Sequence, residues 1–286
     1  MTGIGSSAVS EDPGSDIGRV WQSPDFSPTR SPNRVTRPQT APVESRPREW
    51  TVVSWNILGA RRPDLSRLSE VLAGRSPDVV MLQEVRRGQA EDLARRLGMR
   101  FTWAFKHNPW RPFFSSWAEG AAILTPHQLG APAHTQISTA GSKRSWRRRI
   151  LQWALVGRDD RSAYLVYNAH LTPDAQESEA RMGEGRRIAE IVAENGDSPP
   201  AVIGGDMNAD VGESVLNVIP GRRAETSATN PADAPVVTID HVVVPDAATV
   251  VSADVPAGGA EWRELSDHLP VTVTFSLDWV DGDWVG

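Results

Sequence analysis

Ala201-Val202-Ile203-Gly204-Gly205-Asp206-Met207-Asn208 joins a short apolar run to a pair of glycines and an acid. Its apolar, β-branched start reads as a short buried strand. The two glycines permit a sharp bend or the close approach of a substrate, and Asp206 follows at the strand end. Strand ends are where a rigid scaffold presents side chains to a common rim. The pattern recurs outward along the chain. Trp50 to Ile57 is β-branched and aromatic and carries Asn56, Val79 to Glu84 is apolar and ends in acid, and Val236 to Val244 holds Asp240. Further strands are predicted at Gly120–Thr125, Ile150–Val156, Ala163–His170 and Val271–Phe275.

Three helices are predicted between them. Leu65, Leu68 and Leu72 stand at helical spacing, with Asp64 as N-cap and Gly74 as stop. A second helix covers about 86–97, with Leu93 and Leu97 on one face and Gly98 as terminator. A third runs from Asp174 to about Asn195, with Ile188, Ile191 and Val192 inward. Strands and helices interleave early and strands dominate late. That order favours a layered α/β structure, two packed and mainly antiparallel sheets flanked by helices.

The strand-end residues Asn56, Glu84, Asp206, Asn208 and Asp240 are hard oxygen donors of the kind that suits Mg²⁺ or Mn²⁺. Ser266-Asp267-His268 adds an acid and an imidazole. In phosphate-ester chemistry a cation polarises the phosphoryl oxygens, a carboxylate orients or deprotonates water, and an imidazole stabilises charge. A separate Asp, which Asp240 supplies, can hold that imidazole in one tautomer. Alone, each residue has a plainer reading: Asn56 satisfying backbone groups, Glu84 a solvated acid, His170 a packed histidine.

Read in order, Trp55-Asn56-Ile57, Gln83-Glu84-Val85, Asn168-Ala169-His170-Leu171, Gly205-Asp206-Met207-Asn208, Ile239-Asp240-His241 and Ser266-Asp267-His268-Leu269-Pro270 resemble the successive motifs of the endonuclease/exonuclease/phosphatase family, the deoxyribonuclease I-like fold. The resemblance runs from about Trp50 to Phe275. It implies a four-layer α/β sandwich and in-line hydrolysis without a covalent intermediate. By position, Glu84 is then the principal metal ligand, and Asn56 helps to hold the metal or the phosphate. Asp206 aligns or deprotonates the attacking water, and Asn208 binds a phosphoryl oxygen. His170 and His268 flank the scissile phosphate and stabilise its developing charge. Asp240 orients His268, and Asp267 sits beside the metal as a ligand or as an acid just behind the ligands. Arg149, at a strand start, stands where the family often has an arginine facing the phosphate. His241 is expected on the opposite face in a structural role. His107, His127 and His134 have no motif support and are expected at the surface or in loops. Two departures weigh against a dedicated abasic-site repair enzyme. The chain has no acid two positions after Asn56, and it has His170 where those enzymes place a tyrosine.

Composition leaves the substrate open. The net charge is −6, so bulk positive charge does not advertise nucleic acid, although local cations can serve. Two segments are candidates for the rim. One is the aromatic and basic run from Trp103 to Trp117, and the other is Lys143-Arg144-Ser145-Trp146-Arg147-Arg148-Arg149, whose cations other than Arg149 are expected on a solvated face or as a general anion-attracting lip. A phosphodiesterase or nuclease is the leading expectation. A small-molecule or lipid phosphoesterase is the alternative, and a non-catalytic binding module is the rival of another class. A phosphate ester is the expected partner, with nucleic acid allowed, no stable membrane insertion and a monomeric state. Residues 1–48, rich in Pro, Ser and Arg, are expected to be a disordered tail. The catalytic domain is expected over 49–278, with a short tail at 279–286. There is no cysteine, and neither a leader within Met1 to Val20 nor an apolar run of ~20 residues stands out. Cytoplasmic placement is expected, with secretion left open.

Overall fold

A computed structural model describes residues 48–107, 118–139, 147–158, 162–173, 177–196 and 199–277. Among these, twelve strands form two six-stranded sheets. In chain order they are β1 (Arg48–Asn56), β2 (Val79–Arg86), β3 (Arg100–His107), β4 (Glu119–Thr125), β5 (Gln128–Gln136) and β6 (Ile150–Gly157). Then come β7 (Ala163–His170), β8 (Ala201–Asp206), β9 (Arg222–Arg223), β10 (Asp240–Val244), β11 (Thr249–Asp254) and β12 (Val271–Leu277). One sheet has the order β11-β12-β1-β2-β4-β3 and the other β5-β6-β7-β8-β10-β9. Each contains a single parallel pair, β1 with β2 and β7 with β8, in an otherwise antiparallel ladder.

The parallel pairs need crossover connections, and helices supply them. Helix α1 (Leu65–Ala73) joins β1 to β2, and α3 (Ser178–Asn195) joins β7 to β8. Helix α2 (Arg87–Leu97) follows β2, and the short α4 (Ala260–Arg263) precedes β12. Asp64 caps α1 by accepting from the Ser66 and Arg67 amides, and Gly98 ends α2 at φ 64°.

Central strands are apolar at successive positions because both of their faces are covered. Val52, Val79 and Met81 of one sheet meet Val166, Val202 and Val242 of the other. The next residues, Val53, Val80 and Leu82, point outward onto Leu68, Leu72 and Leu93 of α1 and α2. Tyr167 and Ile203 pack on Ile188 and Ile191 of α3. The layers are therefore helix, sheet, sheet and helix.

Several expectations need correction. β10 begins at Asp240 rather than Val236, and only an isolated bridge, Asn230 with Val237, precedes it. The helix expected from Asp174 starts at Ser178, and 174–176 lie outside the described residues. Arg48, assigned to the tail, opens β1 opposite Leu277. The rest of both tails, 108–117 of the aromatic run and Lys143 to Trp146 also lie outside the described residues. β3, β5, β9 and β11 were not expected. Gly204 and Gly205 do not make room for substrate. A Cβ on Gly204 would collide with the Met81 side chain of the facing sheet, and one on Gly205, at φ 150°, would collide with the Ala169 carbonyl oxygen. Among the described residues, no helix is long and apolar enough to cross a membrane.

Candidate active site

The two parallel pairs deliver their C-terminal ends to one edge of the sandwich. Asn56 ends β1, Glu84 lies near the end of β2, His170 ends β7 and Asp206 ends β8. Asp240 opens β10 directly opposite Asp206 in an antiparallel pair, and His268 stands just ahead of β12. Glu84, His170, Asp206, Asn208, His268 and Arg149 line a cavity of about 270 Å³. Glu84 and Asn208 have left-handed backbones, at φ 52° and 46°. At Glu84 the pairing of β2 with β4 slips between Leu82 and Val85. Such a bulge re-aims a side chain, and strained φ values of this kind gather at functional sites.

Three carboxylates line the cavity, those of Glu84, Asp206 and Glu119. His170 Nε2 lies 3.9 Å from Glu84 Oε1 and 3.5 Å from Asp206 Oδ2. The Asn56 amide nitrogen donates to Asp206 Oδ2 at 3.0 Å, and its oxygen accepts from the Leu58 amide at 3.1 Å. Burial, with Glu119 nearby, pushes the Glu84 carboxyl up to about 7. Burial also lifts Asp206 to about 6, although His268 pulls the other way. Asp206 Oδ1 accepts from the Asn208 amide at 3.0 Å, and the Asn208 side chain donates to the Leu171 carbonyl at 3.1 Å.

The surroundings shift the two histidines in opposite directions. His268 Nδ1 lies 2.9 Å from Asp240 Oδ2, and its Nε2 lies 3.8 Å from Asp206 Oδ2. Burial alone would lower its pKa, but Asp240 and Asp206 together raise it to about 10. His170 is held well below the ordinary histidine value by burial and by the charges of Lys106 and Arg149. It is a neutral imidazole at pH 7.

Arg149 is buried, and its Nε and Nη1 have no protein partner. Arg149 lines the cavity, and the three N–H donors on those two buried nitrogens are used by no protein group. Arg148 differs from the expected solvated cation, because it is buried and donates to the Phe105 and Lys106 carbonyls. Four further cavity residues carried no motif: Lys106, His107, Glu119 and Pro173. Lys106 Nζ sits 2.6 Å from Glu119 Oε1. His107 thus lines the cavity from the end of β3, contrary to its expected place at the surface or in a loop. The signal for Glu119 was present, an acid bordering the buried run Gly120 to Thr125. It borders the start of that strand, and β4 is antiparallel to β2, so its beginning reaches the same rim.

His127 is a loop residue that hydrogen-bonds Asp78 at 2.7 Å, at the other end of β2 from Glu84. His134 is exposed on β5. His241 is buried, with Nε2 2.8 Å from the Ala209 carbonyl oxygen, away from the cavity. Asp267 is half-buried beside His268, its carboxylate 3.5 Å from Ser266 Oγ, and it does not line the cavity.

Beneath the site an amide bridge joins the sheets. Gln83 Nε2 donates to Asn168 Oδ1 at 2.8 Å, and Asn168 Nδ2 donates to the Leu82 and Ala122 carbonyls at 3.0 Å each. Gln83 adjoins Glu84 and Asn168 lies two residues before His170, so the bridge fixes the separation of the two walls. All of these amides are buried.

The donor set fits a hard divalent cation. Glu84, Asp206 and the Asn56 amide offer oxygen atoms, and burial, more than any neighbouring charge, holds both carboxyl pKa values up. Asp206, Asp240 and His268 also bring potential ligand atoms within 4.8 Å of one another. That trio is better described as an ion pair, since His268 is protonated and its Nδ1 is engaged by Asp240.

No curated protein matches the chain by sequence. Solved structures share its fold. An endonuclease/exonuclease/phosphatase from Bacteroides vulgatus is 19% identical with a TM-score of 0.67, over 81% of this chain and 100% of that one. The Bacteroides thetaiotaomicron mannosyl-6-phosphatase Bt3783 is 19% identical with a TM-score of 0.62, over 80% and 100%. D. rerio TDP2, complexed with single-strand DNA product, is 19% identical with a TM-score of 0.58, over 80% and 99%. The model of the endonuclease/exonuclease/phosphatase family matches residues 53–268, and the chain belongs to that family.

Proposed function

We propose that the protein hydrolyses phosphodiesters by in-line attack of water, with Mg²⁺ or Mn²⁺ as cofactor. One observation carries this reading. A single cavity holds two carboxylates with raised pKa values, an imidazolium, a neutral imidazole and an arginine with two unpartnered nitrogens. Glu84 and the Asn56 amide would hold the cation, with Asp267 nearby, and the cation would draw charge from the phosphoryl oxygens. Asp206 takes a proton from the attacking water, for which a pKa of about 6 is far better matched than that of an ordinary aspartate. Water oxygen bonds to phosphorus, the bond to the leaving oxygen breaks, and that oxygen takes a proton from solvent.

The remaining residues receive the charge that builds on phosphorus. His268, held by Asp240, donates from Nε2 as a cation, while His170 donates as a neutral ring. Arg149 and Asn208 bind the non-bridging oxygens, with Arg149 also supplying full charge. The shared fold serves both a mannosyl-6-phosphatase and a protein bound to single-strand DNA product, so phosphate esters of either size are compatible with it. Hydrolysis of bis-p-nitrophenyl phosphate with Mg²⁺ or Mn²⁺ tests the proposal. Glu84→Ala and His268→Ala are expected to abolish turnover, and rates equal to wild type would refute it.

A further inference from the structure

We infer that Glu184, on the inner face of α3, is a positioning residue that holds His170 and Asn208 in place through the turn at Leu171 and Thr172. The inference rests on the hydrolytic reading above and adds to that site a residue from outside the cavity. Along α3 the inward positions fall at 181, 184, 188 and 191, the spacing of a helical stripe. Ile188 and Ile191 occupy the last two, but Arg181 and Glu184 occupy the first two and are equally buried. An ionised side chain at a core position costs desolvation that an apolar one would not. The bonds it makes in return identify its role.

Those bonds go to the turn between β7 and the cavity wall. Glu184 Oε2 accepts from the Thr172 amide at 2.9 Å, and its Oε1 accepts from the Thr172 hydroxyl at 2.7 Å. Arg181 Nη1 donates to the Thr172 carbonyl at 3.3 Å, and its Nη2 donates to Glu213 at 2.9 Å. Leu171 is held as well. Its amide donates to the Asp206 carbonyl at 2.9 Å, and its carbonyl accepts from the Asn208 side chain at 3.1 Å. Every backbone polar group of the two residues is therefore satisfied. The turn begins at His170 and ends at Pro173, and both line the cavity. A shift at Thr172 is passed along the chain to His170 and through the Leu171 carbonyl to Asn208.

The same network reaches the remaining catalytic segments. Glu213 Oε1 accepts from the Asp210 amide at 3.1 Å, and Asp210 Oδ1 accepts from the Thr238 amide at 3.0 Å. Asp210 follows Asn208, and Thr238 precedes Asp240. One face of α3 is thus tied to the turn after β7, the loop after β8 and the approach to β10.

The test uses bis-p-nitrophenyl phosphate with Mg²⁺, at a temperature well below the unfolding midpoint of each variant. Glu184→Ala is expected to lower kcat about tenfold or more while KM stays within about twofold of wild type. Displaced groups that act on the transition state cost turnover rather than binding. Glu184→Gln can rebuild the turn. Its amide oxygen accepts from the Thr172 amide, and its amide nitrogen donates to the Thr172 hydroxyl, which accepts as well as donates. It is expected to restore kcat to within about threefold of wild type. Should Glu184→Ala fail to fold, Thr172→Val decides in its place, because it removes only the hydroxyl bond and is expected to lower kcat severalfold at unchanged KM. With an active wild type, an unchanged kcat in the deciding variant or a loss confined to KM overturns the inference. So does a Glu184→Gln protein as slow as Glu184→Ala. A wild-type protein that does not hydrolyse the diester overturns the hydrolytic reading itself, and the inference falls with it.

Discussion

His268 Nδ1 lies 2.9 Å from Asp240 Oδ2, and this contact sets both the orientation and the charge of the ring. Asp240 is fully buried and its other carboxylate oxygen has no hydrogen-bond partner, so its charge is directed at one imidazole. Across the cavity His170 has no such carboxylate on its buried Nδ1, and it stays neutral. Two histidines a few ångströms from the same aspartate thus differ by a full charge.

Asp240→Asn removes the main source of that charge while preserving shape. His268 loses its raised pKa, and the alkaline limb of the pH–rate profile moves from near 10 toward the ordinary histidine range. At neutral pH the rate of bis-p-nitrophenyl phosphate hydrolysis is expected to fall about a hundredfold or more. A profile superimposable on wild type would show that the Asp240 carboxylate does not govern the ring.

Metal binding is expected to stabilise the fold more at high pH than at low pH. Glu84 and Asp206 ionise near 4.5 and 3.8 ordinarily, but near about 7 and about 6 in the folded, metal-free protein. The folded state therefore holds their protons longer. Their contribution to stability is fully present below the ordinary values and is lost as pH rises through 6 and 7. His170, with its lowered pKa, acts in the opposite direction at acid pH, so the informative quantity is the increment due to metal. The rise in Tm produced by Mg²⁺ should be larger at about pH 8 than at about pH 5.5, and Glu84→Gln should shrink it. Equal increments at both pH values in wild type would contradict the ligand assignment.

The amide bridge can be cut without touching the cavity. Asn168→Leu removes the acceptor for Gln83 and the donor to the Leu82 and Ala122 carbonyls. Gln83 Nε2 keeps the Ser54 hydroxyl and the Met81 carbonyl but loses its 2.8 Å acceptor, and losing a buried hydrogen-bond partner costs about 1–3 kcal/mol, measurable as a lower urea midpoint. Because Glu84 and His170 flank the bridge, kcat should fall as well. A midpoint matching wild type would mean the bridge contributes no net stability.

Gly205→Ala tests the close approach behind Asp206. The added methyl would overlap the Ala169 carbonyl on a backbone at φ 150°, and neither side can yield without parting β7 from β8. A loss of about 3 kcal/mol or more is expected, read from urea unfolding. A near-neutral substitution would show that the two strands separate easily there.

What the sequence disclosed follows burial. All eight interior strands were legible, because covering both faces makes a strand continuously apolar, as in Val79 to Leu82. The four that escaped notice, β3, β5, β9 and β11, are the four sheet edges. β5, Gln-Leu-Gly-Ala-Pro-Ala-His-Thr-Gln, carries a proline and a largely exposed surface, both proper to an edge. The site divides in the same way. Residues at the far ends of parallel strands stood out, whereas Glu119 and Lys106 arrive through antiparallel neighbours whose contribution depends on which end meets the rim. The left-handed turn at Glu84 left no local sign, since glutamate has no preference for it.

The pairing of β1 with β12 has a consequence for the time of synthesis. Arg48 lies opposite Leu277, the Trp55 indole donates to the His268 carbonyl, and Ser266 Oγ donates to the Asn56 carbonyl. Ribosomes add ~5–20 residues each second, so roughly tens of seconds separate the emergence of Asn56 from that of His268. Throughout that interval the first strand of the site waits without its partner, and one wall of the cavity is missing. A half-made chain thus lacks part of the site, and the cavity is complete only once the last strand has joined the sheet.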